Sequence, residues 1–407
     1  MFCSALLLAC GAGQQGDDPQ PNPHVPRPDA HVARLVIDEI DKIDVLFVVD
    51  DSGSMAQEQA ALGQQLPRMA RALASGDLDG DGEQEFPPPN DVQLGVVSSD
   101  MGLPSTFDID KCTGLGDDGL LARAATRATG TDCARQSPAF IRYDANSDAL
   151  EQLGHDFSCL AMLGTDGCGF EQPLEAGLKA LWPSADERVR FLGLDQDSST
   201  FGHGDAANAG FSRAERGSIP SLLLIVVLSD EDDCSATDSS LFTPNAYLSP
   251  DDPLLAQGLN MRCARNPERL FPIARYANAL RMLRPGAEQL VLFAAITGVP
   301  PARVSREALA ELDYGDDEAR EAFYQALLDD PQMQERLDDN DTPDPQDDTL
   351  RPACESAGAL AYPARRISQL AREFGRDGMV QSICQPDFAE TIGFLLERVA
   401  ARMRDPS

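Results

Sequence analysis

The feature that most constrains this chain is Val45-Leu46-Phe47-Val48-Val49-Asp50-Asp51-Ser52-Gly53-Ser54-Met55. An apolar run without polar alternation suits a strand covered on both faces, as in the middle of a parallel sheet. The run stops at an Asp followed by hydroxyls at alternate positions. In extended chain alternate side chains share one side, so Asp50, Ser52 and Ser54 can converge beyond the strand end. One carboxylate and two hydroxyl oxygens suit Mg²⁺, a hard cation that keeps part of its water shell. Parallel sheets bind ligands outside the carboxyl ends of their strands, which is where these residues fall.

Further strand candidates are Val92 to Val97, Leu222 to Leu228, Leu290 to Ile296 and a weaker run from Met379 to Ile383. Helical patterns lie between them, over Gln57 to Ala74, Gln172 to Leu181, Pro267 to Leu283, Tyr362 to Phe374 and Asp387 to Met403. Such alternation predicts a doubly wound, mostly parallel α/β sheet with helices on both faces. Residues 35–404 are about twice what a minimal sheet of this kind needs, and no second core is visible. The expectation is a single domain with long insertions near 103–145, 184–220, 235–266 and 300–352. Insertions rooted after strands emerge on the cation face and can shape its specificity. The acidic stretch Asp338 to Asp348 reads as a disordered, solvated loop, with calcium binding as the lesser alternative.

Asp50-x-Ser52-x-Ser54 behind a buried strand resembles the metal-ion-dependent adhesion site of von Willebrand factor type A domains. The resemblance implies a doubly wound fold and a Mg²⁺ (or Ca²⁺) ion that bridges the domain to a protein partner. It also implies a second Asp after a later buried strand, and the run Ser221 to Ser229 delivers Asp230. A Thr is further implied ahead of the helix that precedes this strand, but Glu171 stands there. Asp50, Asp230 and Glu171 would leave a divalent site at a formal charge of about −1. Glu171 could tighten the metal, favour Ca²⁺ with its larger oxygen shell, or replace a partner's carboxylate. Equally, it could be an acid in the first helical turn, favoured by the helix dipole.

Ten cysteines need an oxidising setting if they are to pair, and the N-terminus points to one. Leu7-Leu8-Ala9-Cys10 resembles the lipobox of bacterial lipoproteins, in which the Cys becomes the lipidated first residue. Residues 1–10 read as the remnant of a lipoprotein signal whose true start lies upstream, because no Lys or Arg precedes the apolar run. Residues 11–34, rich in Gln, Asp, Pro and Gly, read as a flexible tether. The expected location is the cell envelope, lipid-anchored at the outer membrane or cell surface. Without Cys3 and Cys10, eight cysteines remain in sequential couples, so the predicted pairs are Cys112–Cys133, Cys159–Cys168, Cys234–Cys263 and Cys354–Cys384. A net charge of −34 argues against nucleic acid and against direct contact with an anionic membrane, so only a lipid anchor would touch the bilayer.

A second cation signal is Asp77-Leu78-Asp79-Gly80-Asp81-Gly82-Glu83-Gln84-Glu85, the front half of an EF-hand-type loop. Asp77, Asp79, Asp81, Glu83 and Glu85 are its candidate ligands for a structural Ca²⁺. Pro88 occupies the twelfth position, so the usual bidentate Glu is missing. Three functions follow from these signals. The first is a cell-surface protein that binds a divalent cation and mediates metal-dependent protein binding or adhesion. The second is an exported scaffold of the same fold without a working adhesion site. The third and remotest is an aspartic-type protease, suggested by Asp51-Ser52-Gly53-Ser54, which would need a second copy that the chain lacks. No metalloprotease, serine-hydrolase, phosphate-loop or dinucleotide motif is present, so the chain reads as a non-enzyme.

Overall fold

The computed structural model describes residues 22–29, 32–104, 107–122, 139–145, 150–194, 198–214, 220–356, 359–385 and 387–406. Cys10, with the expected signal remnant, and Cys133 lie outside the described residues.

The central sheet has six strands: β1 (Lys42–Val49), β2 (Asp91–Ser98), β3 (Ile141–Asp144), β4 (Leu222–Ser229), β5 (Val291–Thr297) and β6 (Gly378–Ser382). Their order is β6-β5-β4-β1-β2-β3, and every pairing is parallel except β2 with β3. The mostly parallel α/β sheet read from the sequence is therefore present. Ile43, Val45, Phe47 and Val49 face one helical layer, while Leu46 and Val48 face the other. A strand covered on both sides leaves little room for polar alternation, which explains the continuous apolar run.

One layer holds α1 (Ala56–Ser75), α2 (Leu150–Ala161) and α7 (Ala389–Arg404). The other holds α3 (Pro173–Leu181), α4 (Ile273–Met282), α5 (Asp317–Leu328) and α6 (Arg365–Glu373). Pro67 sits inside α1 and cannot donate to the carbonyl of Gly63. Ser158 of α2 fills that vacancy, its Oγ donating to Gly63 O at 2.7 Å. Gly76, with φ 76°, ends α1, and a Cβ there would meet Phe86 O at 2.3 Å.

Three elements depart from the sequence reading. β3 belongs to the sheet, not to an insertion spanning 103–145. It is a four-residue edge strand with Ile141 and Tyr143 buried and Arg142 pairing with Asp91, too short to signal itself. Helix α5 makes part of the 300–352 insertion a member of the second helical layer, with Tyr324 and Leu327 buried in that layer's core. The Asp338 to Asp348 stretch is the tip of a hairpin between Leu337–Asp338 and Thr349–Leu350. Asn340 closes it by donating Nδ2 to Asp347 O at 2.5 Å.

The disulfides correct two of the expected pairs. Cys234–Cys263 and Cys354–Cys384 are bonded as predicted. Cys112, however, joins Cys168, across a Cα separation of 4.5 Å. Cys159 is also disulfide-bonded, but not to Cys168. The reason is placement: Cys159 lies on α2 in the layer with α1, whereas Cys168 has crossed to the strand-end face. There Cys112, Cys168 and Cys234 join Leu103, Phe170, Leu241 and Phe242 in a small third core built from the insertions.

Of the stretch expected as a tether, residues 22–29 lie along α4. His24 packs edge-on against Phe271, and Asn278 Nδ2 donates to Pro26 O at 3.1 Å. No helix among the described residues is long and apolar enough to cross a membrane.

Candidate metal centre

Between β1 and β4 the strand order reverses, the point at which parallel sheets form a crevice beyond the carboxyl ends of their strands. β1 ends into Asp50 and β4 into Asp230, so the two carboxylates flank this crevice. Both are buried, with Asp50 at 0 % and Asp230 at 2 % exposure. Asp50 Oδ1 accepts from Ser52 N at 2.8 Å, and Oδ2 accepts from Ser229 Oγ at 2.7 Å. The hydroxyls of Ser52 and Ser54 lie 3.2 Å apart, and Ser54 in turn hydrogen-bonds Asp230. Asp50, Ser52, Ser54 and Asp230 thus form one polar chain across the crevice, open to solvent on the side of the exposed Ser54.

The loop carrying these groups is held from behind. Gln59 of α1 donates Nε2 to Asp50 O and to Gly164 O, each at 2.8 Å. Gly167 N donates to Asp51 O at 2.8 Å, and a Cβ on Gly167 would come within 2.1 Å of Asp51 Oδ1. Only glycine permits that approach.

Glu171 enters the same cluster. It precedes the N-cap Gln172 of α3, so it is not an acid of the first helical turn; Glu175 is, and it is paired with Arg275 at 2.7 Å. Burial, then the charges of Glu231, Asp50 and Asp230, hold the Glu171 carboxyl well above the usual range. Sequence reasoning missed Glu231. Its carboxyl hydrogen-bonds Glu171 and is pushed up to about 7 by burial and by Asp50. Asp230 is pushed up to about 8 by burial, then by Asp50 and Glu231. Glu58, in the first turn of α1, is raised by burial and feels Asp50.

This arrangement fits a cation. Asp230 Oδ1 and Glu58 Oε2 are buried and accept no hydrogen bond, so each has room for a positive ligand. The centre is not a tight acidic cage: among the described residues only Asp77, Asp79 and Asp81 bring three acidic ligand atoms within 4.8 Å of one another. A cation at the strand ends would therefore need hydroxyls and water for part of its shell.

The rest of the acidic run after β4 does different work. Asp232 accepts from Arg366 N and Ile367 N at 2.9 and 3.2 Å, capping α6. Asp233 accepts from Leu174 N at 3.1 Å in the first turn of α3 and pairs with Arg366 at 3.0 Å. Beside Glu171 and Glu231, a cavity of about 110 Å³ is walled by Phe170, Met261, Tyr362 and Arg366, partly from the insertions.

The second acidic loop follows α1 at the opposite end of the sheet. Asp77 accepts from Gly80 N at 2.7 Å and Gly82 N at 3.0 Å, and Asp81 accepts from Glu83 N at 2.8 Å. Asp79 accepts from Asp81 N at 3.1 Å. Glu85 is drawn back to close the turn, accepting from Leu78 N at 2.6 Å, while Glu83 is exposed.

No family model matches the chain, and a search of curated proteins finds no match either.

Proposed function

We propose that this is an exported cell-envelope lipoprotein anchored through Cys10, whose von Willebrand factor type A-like domain holds Mg²⁺ (or Ca²⁺) and binds a protein partner through that ion. The reading rests on one observation above all: Asp50, Ser52, Ser54 and Asp230 are linked by hydrogen bonds across the switch point between β1 and β4. A cation there would draw on Asp50, Ser52 and Ser54, with Asp230 nearby. Its open side, at Ser54, is where a partner's oxygen would complete the shell. The disulfides favour an oxidising compartment. A structural Ca²⁺ at Asp77, Asp79 and Asp81 belongs to the same proposal.

A second reading, a scaffold of this fold without an adhesion role, is favoured by the Glu171 and Glu231 pair. Were all of them ionised, these two with Asp50, Asp230 and Glu58 would give a divalent ion more negative charge than it can balance, and a partner's carboxylate would be repelled. The protease reading has less support, because its paired loops belong to an all-β fold and this sheet is mostly parallel α/β.

The test is capture of a partner from a cell-surface extract by the full chain. Capture abolished by EDTA and by Asp50→Ala, but kept in Asp79→Ala, is the expected result. Capture indifferent to EDTA and to Asp50→Ala would refute adhesion and leave the scaffold.

A further inference from the structure

The chain carries 67 acidic against 33 basic side chains, so a place where cations outnumber acids stands out. One lies at the end of the sheet opposite the cation centre. Arg398 and Arg402, one turn apart on α7, Arg376 from the turn entering β6, and Tyr314 ahead of α5 line a cavity of about 170 Å³. Two carboxylates, Asp377 and Asp405, line it against those three guanidinium groups. Arg402 is ion-paired with Asp377. Arg398 instead donates Nη2 to the carbonyl of Arg376 at 2.6 Å and lies 3.9 Å from the Tyr314 ring centroid. Neither of these contacts is with a carboxylate; Asp377, already ion-paired with Arg402, acts on Arg398 through its charge alone, and Arg398 Nε is buried and donates to nothing.

We propose that this cavity binds a phosphate-class oxyanion, with Arg398 as its principal ligand and Arg376 and Arg402 beside it. A guanidinium fork matches the oxygen spacing of phosphate, and a group with two donor edges gains most when one edge is still unsatisfied. Access is open, since Gly315 and Asp405 at the rim are exposed. Burial lowers the affinity of Arg398 for its proton, against the opposing pull of Tyr314 and Asp377, and the neighbouring Arg402 charge adds to the lowering. The site is independent of the cation centre and of the function proposed for it.

The phosphate could be free or carried on a lipid head group. A net charge of −34 repels an anionic membrane, so the free ion is the expected source. Inorganic phosphate is titrated calorimetrically into the full chain at low ionic strength without divalent cations. Binding of one phosphate per chain is expected, weakened at least about tenfold in Arg398→Met, less in Arg398→Lys, and unchanged in Asp50→Ala. Co-sedimentation with phosphatidylglycerol vesicles, compared with phosphatidylcholine vesicles, separates the sources. Sedimentation lost in Arg398→Met would put the phosphate on a lipid; phosphate heat without sedimentation would make it free. Absence of both, or binding that survives Arg398→Met and Arg398→Lys undiminished, overturns the proposal.

Discussion

In the carboxylate cluster at the strand ends the decisive side chain is Glu231, because it shares its hydrogen bond with Glu171 and raises Asp230. Two carboxyls in contact in a buried site cannot both ionise easily, so a proton remains between them. Removing one acid should relieve the cation-free protein. Glu171→Gln is expected to raise its thermal midpoint in EDTA at pH 8 and to weaken Mg²⁺ binding by about tenfold in calorimetry. A lower midpoint with unchanged affinity would remove Glu171 from the centre. The same chemistry sets a pH dependence. Asp230 and Glu231, held at about 8 and about 7, stay protonated in the folded chain well above the pH at which they ionise when unfolded. Their contribution to stability is complete below the unfolded values and is lost as pH rises through 7 and 8. The midpoint in EDTA should therefore fall between pH 5 and pH 8, and saturating Mg²⁺ should flatten that fall. Of this centre, Asp50, Ser52, Ser54 and Asp230 were legible because they directly follow apolar strands. Glu231 was not, since Asp232 and Asp233 beside it are chemically alike yet cap α6 and α3. Only the path of the chain separates these roles.

Among the elements, the α1 and α2 pair shows how a local fault is absorbed by a neighbour. Pro67 interrupts the hydrogen bonding of α1, and α2 answers with Ser158 and with Gly154, which lets the helices approach. A Cβ at Gly154 would lie 2.7 Å from Pro67 Cα. Gly154→Ala gains about 1 kcal/mol in helix propensity but forces the backbones apart at about 1–3 kcal/mol. Net destabilisation of about 1 kcal/mol in urea unfolding is expected; a stabilised variant would mean that the helices part without cost. The strands β1, β2, β4 and β5 were legible because burial on both faces writes an unbroken apolar run. β3 and α5 lie in segments that read as insertions, where no such run exists. The Cys112–Cys168 bond was hidden for a different reason. Pairing follows where two loops meet in space, and Cys168 leaves α2 for the core built over the strand ends.

For the whole molecule the governing quantity is charge. A chain of net charge −34 repels itself when folded, so any salt should stabilise it by screening, whatever specific sites it has. Ionic strength and site binding must therefore be separated before a rise in midpoint with Mg²⁺ can be assigned to Asp50. At matched ionic strength, NaCl and MgCl₂ screen to a similar first approximation, but only a divalent ion would occupy the proposed centre. At one hundred times its dissociation constant, a cation bound only to the folded state adds about 2.7 kcal/mol. The wild type should gain about that much from MgCl₂ over matched NaCl. Asp50→Ala should lose this excess and keep the NaCl response. With CaCl₂, Asp79→Ala should lose only the part contributed by the exposed loop at the other end of the sheet, where Asp77, Asp79 and Asp81 gather. An equal response to NaCl and MgCl₂ in the wild type would mean that the acidic charge acts only as a diffuse field. The polar chain at the strand ends would then be a structural cap on β1 and β4.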